Sequence, residues 1–205
     1  FLDNVLSDFI NKAPDQFKDA KYSAERERSV GLGVMGFHSF LQKKRIPLES
    51  VMAKSWNKKI FKQIDEQVNQ ASKDLAEERG ACPDAAEYGY MERFSNKTAI
   101  APTASISIIC GGASPGVEPI AANSYTHKTL SGSFNVRNRY LEEILESHGK
   151  NDDETWSTIT TNQGSVSHLD FLTDLEKDVF KTAFELNQKW IIELSGDRTP
   201  FISQA

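Results

Sequence analysis

The residues best placed to do chemistry are the hydroxyls and small side chains of Pro102-Thr103-Ala104-Ser105-Ile106, inside the run 98–116. Ahead of them Thr98-Ala99-Ile100-Ala101 is uncharged, small and partly β-branched, and the turn-prone Ser95-Asn96-Lys97 precedes it, which predicts a short buried strand. Pro102 has no N–H for a continuing ladder and restrains Ala101 to an extended conformation, so the strand stops there. The hydroxylated turn then runs into Ile108-Ile109 and the helix-stopping pair Gly111-Gly112, which predicts a short helix. In a parallel α/β arrangement, free backbone N–H groups and the helix dipole at such a turn favour an anion such as phosphate. A Ser/Thr cluster before a helix more often serves as a plain N-cap, and the residues alone leave both readings open.

Other chemistry-bearing residues are sparse. Cys82 and Cys110 fit neither a CxxC redox pair nor a zinc site and read as incidental thiols. His127 and Lys128 could approach an anion, although a basic pair in a loop more often solvates a surface. Glu118, between Val117 and Pro119, is expected to be buried or to cap backbone N–H groups. Gly31-Leu32-Gly33-Val34-Met35-Gly36 has the G-x-G-x-x-G spacing of a dinucleotide loop but no strand before it, so the glycines read as helix-packing positions.

The elements that must position these residues are mainly helical. Leu2, Val5, Leu6, Phe9 and Ile10 predict a short amphipathic helix within 1–17, and Val30, Val34, Phe37 and Leu41 a second over 24–41. The longest helix is expected over 50–78, with Trp56, Ile60, Ile64, Val68, Ala71 and Leu75 facing inward and a lysine-rich outer face. Residues 83–96 are turn-rich, with Tyr88, Tyr90 and Phe94 as packing anchors. Lys128, Ser131 and Gly132 suggest a turn between two short strands over 124–136. Asn138 caps a helix that stops at Gly149, a shorter helix carries Trp156 and Ile159, and a last long helix runs from the capping box Thr173-Asp174-Leu175-Glu176 through Phe184 to Leu194.

The 205 residues can bury a sizeable core, and the abrupt ends at Phe1 and Ala205 suggest a segment of a larger domain. With 24 basic against 29 acidic residues and no long basic run, the chain carries no electrostatic footprint for nucleic acid. No apolar run is long enough to span a bilayer, which makes a cytoplasmic protein the expectation. Long helices around short buried strands indicate an α/β class.

Four blocks, RERSVGLGVMGF, APTASIS, GGASPGVEP and YTHKTLSGSF, resemble in wording and order the carboxyl-terminal half of the class I ribonucleotide reductase large subunit. The resemblance runs over nearly all the chain. It implies a helix-rich α/β fold, the second half of a ten-stranded α/β barrel, with 1–205 an incomplete domain. It further implies reduction of ribonucleoside diphosphates by thiyl-radical chemistry. Pro102, Thr103, Ala104, Ser105 and Ile106 would be the substrate phosphate-binding loop, backbone N–H groups doing most of the work and the Thr103 and Ser105 hydroxyls adding hydrogen bonds strengthened by the charged acceptor. The family's reactive cysteines would lie outside this segment, so it carries no catalytic residue, metal site or cofactor. The radical centre would sit on a small partner subunit, ATP and deoxynucleotide effectors would bind elsewhere in the large subunit, and the full large subunit would form a homodimer. A cobalamin-dependent reductase of the sister class, and a noncatalytic complementing half of a split large subunit, are the alternatives.

Overall fold

The structure, a computed structural model, describes residues 1–129 and 132–204. The chain divides into two compact units, one of Phe1–Gly33, Lys58–Ile100 and Arg198–Ala205, the other of Val34–Asn57 and Ala101–Asp197. No helix among the described residues is long and apolar enough to cross a membrane.

The first unit holds α1 (Leu2–Lys12), α2 (Lys18–Glu27), most of α4 (Val51–Arg79) and α5 (Pro83–Glu87). Its strands are reduced to parallel bridges, Leu32 with Thr98 and Ala99 with Gln204. The expected strand at Thr98 therefore exists as the middle of three parallel extended segments, bonded on one side through Ala99 N to Leu32 O (3.1 Å) and on the other through Ile100 N to Gln204 O (3.2 Å). The helix expected over 24–41 does not form. α2 stops at Glu27, Arg28 turns left-handed (φ +46°), and helix resumes only at α3 (Phe37–Lys43). Three glycines in six residues cost more helix propensity than the apolar spacing returns. Gly31 instead marks close strand approach, since a Cβ there would stand 3.2 Å from Ala99 Cβ.

α1 enters the first unit through a carboxylate rather than its apolar stripe. Asp3 is 3% exposed while Leu2, Val5 and Phe9 are exposed. Its Oδ1 accepts from Arg28 Nη2 (2.6 Å) and Arg93 Nε (2.8 Å), and its Oδ2 from Arg79 Nη1 (3.0 Å). Burial pushes its pKa up, but hydrogen bonds from Arg93 and Arg28 outweigh that and leave it lowered. Two other expectations fail here. On α4 the fully buried positions of this unit are Phe61, Ser72 and Ala76, while the predicted stripe is only partly covered; Tyr88 and Tyr90 are exposed rather than packing anchors.

The second unit packs α3, the start of α4, α6 (Ala104–Ile109), a hairpin, α7 (Arg139–Ser147), α8 (Asp153–Thr161), α9 (Asp174–Val179) and most of α10 (Gln188–Arg198). The hairpin is antiparallel, β1 (Ser124–Thr129) against β2 (Gly132–Arg137), with Tyr125 opposite Val136. Of the residues expected at its turn, Ser131 lies outside the described residues. Leu141, Ile144, Leu145, Trp156, Ile159 and Phe180 form the centre of the core. The expected cap at Asn138 and the capping box at Thr173 and Glu176 are both present. The single last helix is not: α9 ends at Val179, Thr182 donates from N and Oγ1 to the Glu185 carboxylate, and Phe184 is 83% exposed. That local side-chain cap competes with continued helix and starts a new turn.

A relay of carboxamides ties this unit together. Asn138 Nδ2 donates to Gln42 Oε1 (3.0 Å) and to Asn123 Oδ1 (2.8 Å). Asn123 Nδ2 in turn donates to the carbonyls of Gly164 (2.9 Å) and Phe180 (2.7 Å).

Candidate functional site

The loop at 102–106 lies wholly in the second unit and forms the turn and short helix expected of it. Pro102, Ala104, Ser105 and Ile106 are exposed, and Thr103 is half-buried. α6 closes its first bond from Ser107 N to Thr103 O (2.9 Å). The N–H groups of Ala104, Ser105 and Ile106 come before any intrahelical acceptor, so they face outward as donors. The helix ends at Cys110 with Gly111 and Gly112 at φ +79° and +68°.

Thr103 is not a plain N-cap. Its backbone is left-handed (φ +50°, ψ +29°), it makes no side-chain cap, and its Oγ1 accepts from Gly116 N (2.8 Å). Gly116 belongs to a strap, residues 114–116, stitched to the first turn of α3. Gly36 N donates to Ser114 O (2.8 Å), and Ser39 and Ser114 exchange backbone-to-hydroxyl bonds of 3.1 and 2.8 Å. Next on α3, the buried His38 accepts at Nδ1 from Ile120 N (3.0 Å), and burial lowers its pKa to about 4, so the ring is neutral with its proton on Nε2.

Beside the loop lies a cavity of about 410 Å³, walled by Ala104, Ser107 and Ile108 of α6, by the cross-strand pair Tyr125 and Val136, and by Arg139. Outward N–H groups next to a largely apolar recess suit a ligand with an anionic end and a less polar body.

The other sequence candidates do not join this site. His127 and Lys128 are consecutive in β1 and so point to opposite faces of the hairpin. Glu118 is exposed, against the expectation of burial. Cys82 is buried, Cys110 is exposed, and both are free thiols. Among the described residues no cluster of His, Cys, Asp and Glu could hold a metal ion. Sequence reasoning missed the strap and its anchor Ser39. The available signal was Gly116, the third glycine of GGASPG, just beyond the helix-stopping pair Gly111-Gly112.

The family model described as the ribonucleotide reductase barrel domain matches residues 1–92 and 84–205, which together span the chain. The chain belongs to the ribonucleotide reductase barrel-domain family. It is 48% identical over 208 residues to the ribonucleoside-diphosphate reductase large subunit of Invertebrate iridescent virus 6, covering 100% of this chain and 22% of that one. To the putative large subunit of Frog virus 3 it is 40% identical, covering 99% of this chain and 36% of that one. The solved Actinobacillus ureae class Id ribonucleotide reductase alpha subunit superposes with a TM-score of 0.90 at 38% identity, over 98% of this chain and 37% of that one. The reductase barrel segment thus spans about a fifth to a third of the length of the curated relatives it matches. Its fold is a helix-rich part of an α/β barrel, as the resemblance implied.

Proposed function

We propose that this chain is the carboxyl-terminal segment of the catalytic barrel of a ribonucleoside-diphosphate reductase large subunit, an incomplete domain that supplies the substrate phosphate-binding loop. The observation that carries this reading is the loop at 102–106 of a reductase-family chain, where three outward N–H groups open onto solvent beside a recess of about 410 Å³. The N–H groups of Ala104, Ser105 and Ile106 take the phosphate oxygens, the Ser105 hydroxyl adds a charge-assisted bond, and Pro102 and Thr103 shape the turn. Ala104 contributes no side-chain charge, so nothing at that position repels phosphate.

In this reading the complete enzyme converts ribonucleoside diphosphates to 2'-deoxyribonucleoside diphosphates for DNA synthesis in the cytoplasm. In the same reading neither Cys82, which is buried, nor Cys110, exposed at the end of α6, is the radical-bearing thiol. The reacting thiols come from the rest of the large subunit, the radical from a small partner subunit, and ATP and deoxynucleotide effectors act elsewhere in a homodimeric large subunit. The test is ribonucleoside diphosphate binding by the complete large subunit with Ser105→Ala. Ser105 is exposed, so fold stability should stay put while binding weakens by about 1–3 kcal/mol, the range for a hydrogen bond to a charged group. An unchanged dissociation constant in a folded variant overturns the assignment.

A further inference from the structure

We propose that Thr103 and Gly116 are positioning residues that act as a pair, a latch holding the loop at 102–106 in its phosphate-ready shape. The inference rests on the phosphate-loop reading above and goes beyond it by assigning these residues a role through each other.

Thr103 is β-branched and left-handed at φ +50°, a conformation such residues adopt only when their surroundings over-determine it. Its carbonyl is tied into α6 by Ser107 N (2.9 Å), and its side chain is held by the bond from Gly116 N to Oγ1 at 2.8 Å. Gly116 is itself left-handed (φ +47°), and a Cβ there would stand 2.9 Å from Ala101 O, a backbone atom just before Pro102 that has little room to yield. The strap therefore touches the loop twice, by close packing at its entry and by a hydrogen bond at its turn. The strap in turn is fixed to α3 by the Ser39 and Ser114 exchange and by Gly36 N to Ser114 O. Thr103 thus couples the start of α6 to a rigid support, and the directions of the Ala104, Ser105 and Ile106 N–H groups follow from it. Gly116 presents no side chain to any ligand, so an effect of changing it on phosphate binding must pass through Thr103 and the loop.

The experiment is calorimetric binding of a ribonucleoside diphosphate, and of the matching nucleoside, to the complete large subunit in four variants. Thr103→Val, which removes the acceptor and keeps the shape, should weaken diphosphate binding about tenfold, the equivalent of one lost hydrogen bond, and leave nucleoside binding unchanged. Thr103→Ser restores the acceptor and should bind within about twofold of the parent, inside the scatter of independent substitutions. Gly116→Ala should lose at least as much as Thr103→Val, and the double variant should lose no more than the worse single one, because the pair acts as one unit. Additive losses, a Gly116→Ala variant that binds like the parent, or equal losses for diphosphate and nucleoside overturn the latch. Should Gly116→Ala fail to fold, hydrogen exchange at the Gly116 amide decides in its place: faster exchange in Thr103→Val that Thr103→Ser restores supports the latch, and equal rates in all three proteins overturn it. A parent enzyme that binds no diphosphate overturns the phosphate-loop reading itself, a result distinct from all of these.

Discussion

His38→Asn should remove most of the pH dependence of local stability around the strap between pH 4 and 6.5. His38 is 1% exposed and burial lowers its pKa from 6.5 to about 4, so across that window the unfolded chain binds a proton that the folded one refuses. The group's contribution is fully present above pH 6.5 and is lost as pH falls toward 4. A difference of about 2.5 pH units at 1.36 kcal/mol each amounts to about 3 kcal/mol. Asparagine keeps an acceptor for Ile120 N, at present 3.0 Å from Nδ1, but does not titrate. The assay is hydrogen exchange at the Ile120 amide, corrected for intrinsic rates, over pH 4 to 7. The parent should lose roughly two orders of magnitude of protection on acidification, and His38→Asn should start lower, through the smaller side chain, but stay nearly level. A parent profile that is flat, or a variant that keeps the parent's slope, would refute the burial argument.

Three further outcomes follow from the same geometry. Asp3→Asn leaves three arginines without their shared carboxylate and should cost about 3–5 kcal/mol in denaturant unfolding of the first unit, the loss typical of a broken buried ion pair; a cost below about 1 kcal/mol would show the arginines re-pair freely. Gly164→Ala forces a Cβ to 2.3 Å from Ala122 Cβ at a backbone with φ +81°, so it should lower the melting temperature far more than Gly149→Ala, which meets nothing within 4 Å at a similar φ. Changing both Cys82 and Cys110 to Ala should leave turnover of the complete enzyme within a few-fold, with a stability loss of about 1 kcal/mol confined to the buried Cys82; a fall of several orders of magnitude in a folded enzyme would contradict it.

What the sequence made legible is what local chemistry decides. The stop at Pro102, the short α6 closed by Gly111-Gly112, the Asn138 cap and the Thr173 capping box all depend on residues a few positions apart, and all are present. The failures share the opposite cause. Residues 24–41 have a helical apolar period, yet Leu32 is held by a backbone bridge to Thr98, a partner 66 positions away that no local pattern reveals. The break after α9 turns on Thr182 meeting Glu185, which a helical reading of the apolar positions passes over. In the site itself the loop residues were readable from their types, but the support was not. Ser39 reaches Ser114 across 75 residues, and the Thr103 hydroxyl accepts from Gly116, 13 residues on, in place of an N–H of its own helix's first turn.

The carboxamide relay fixes how little sequence freedom its central position has. Asn123 offers two N–H donors to two carbonyls and one acceptor to Asn138, so each polar atom of its side chain has a different, non-exchangeable partner. Aspartate has the same shape but would set an oxygen against the carbonyls of Gly164 and Phe180, and leucine would remove the side-chain donor to each of those carbonyls and one of the two acceptors of the Asn138 amide in a buried place. Serine is too short to span the gap. Asn123 is therefore a site where drift by single substitutions is strongly restricted, at a wall of the recess beside the loop at 102–106 and outside the loop itself.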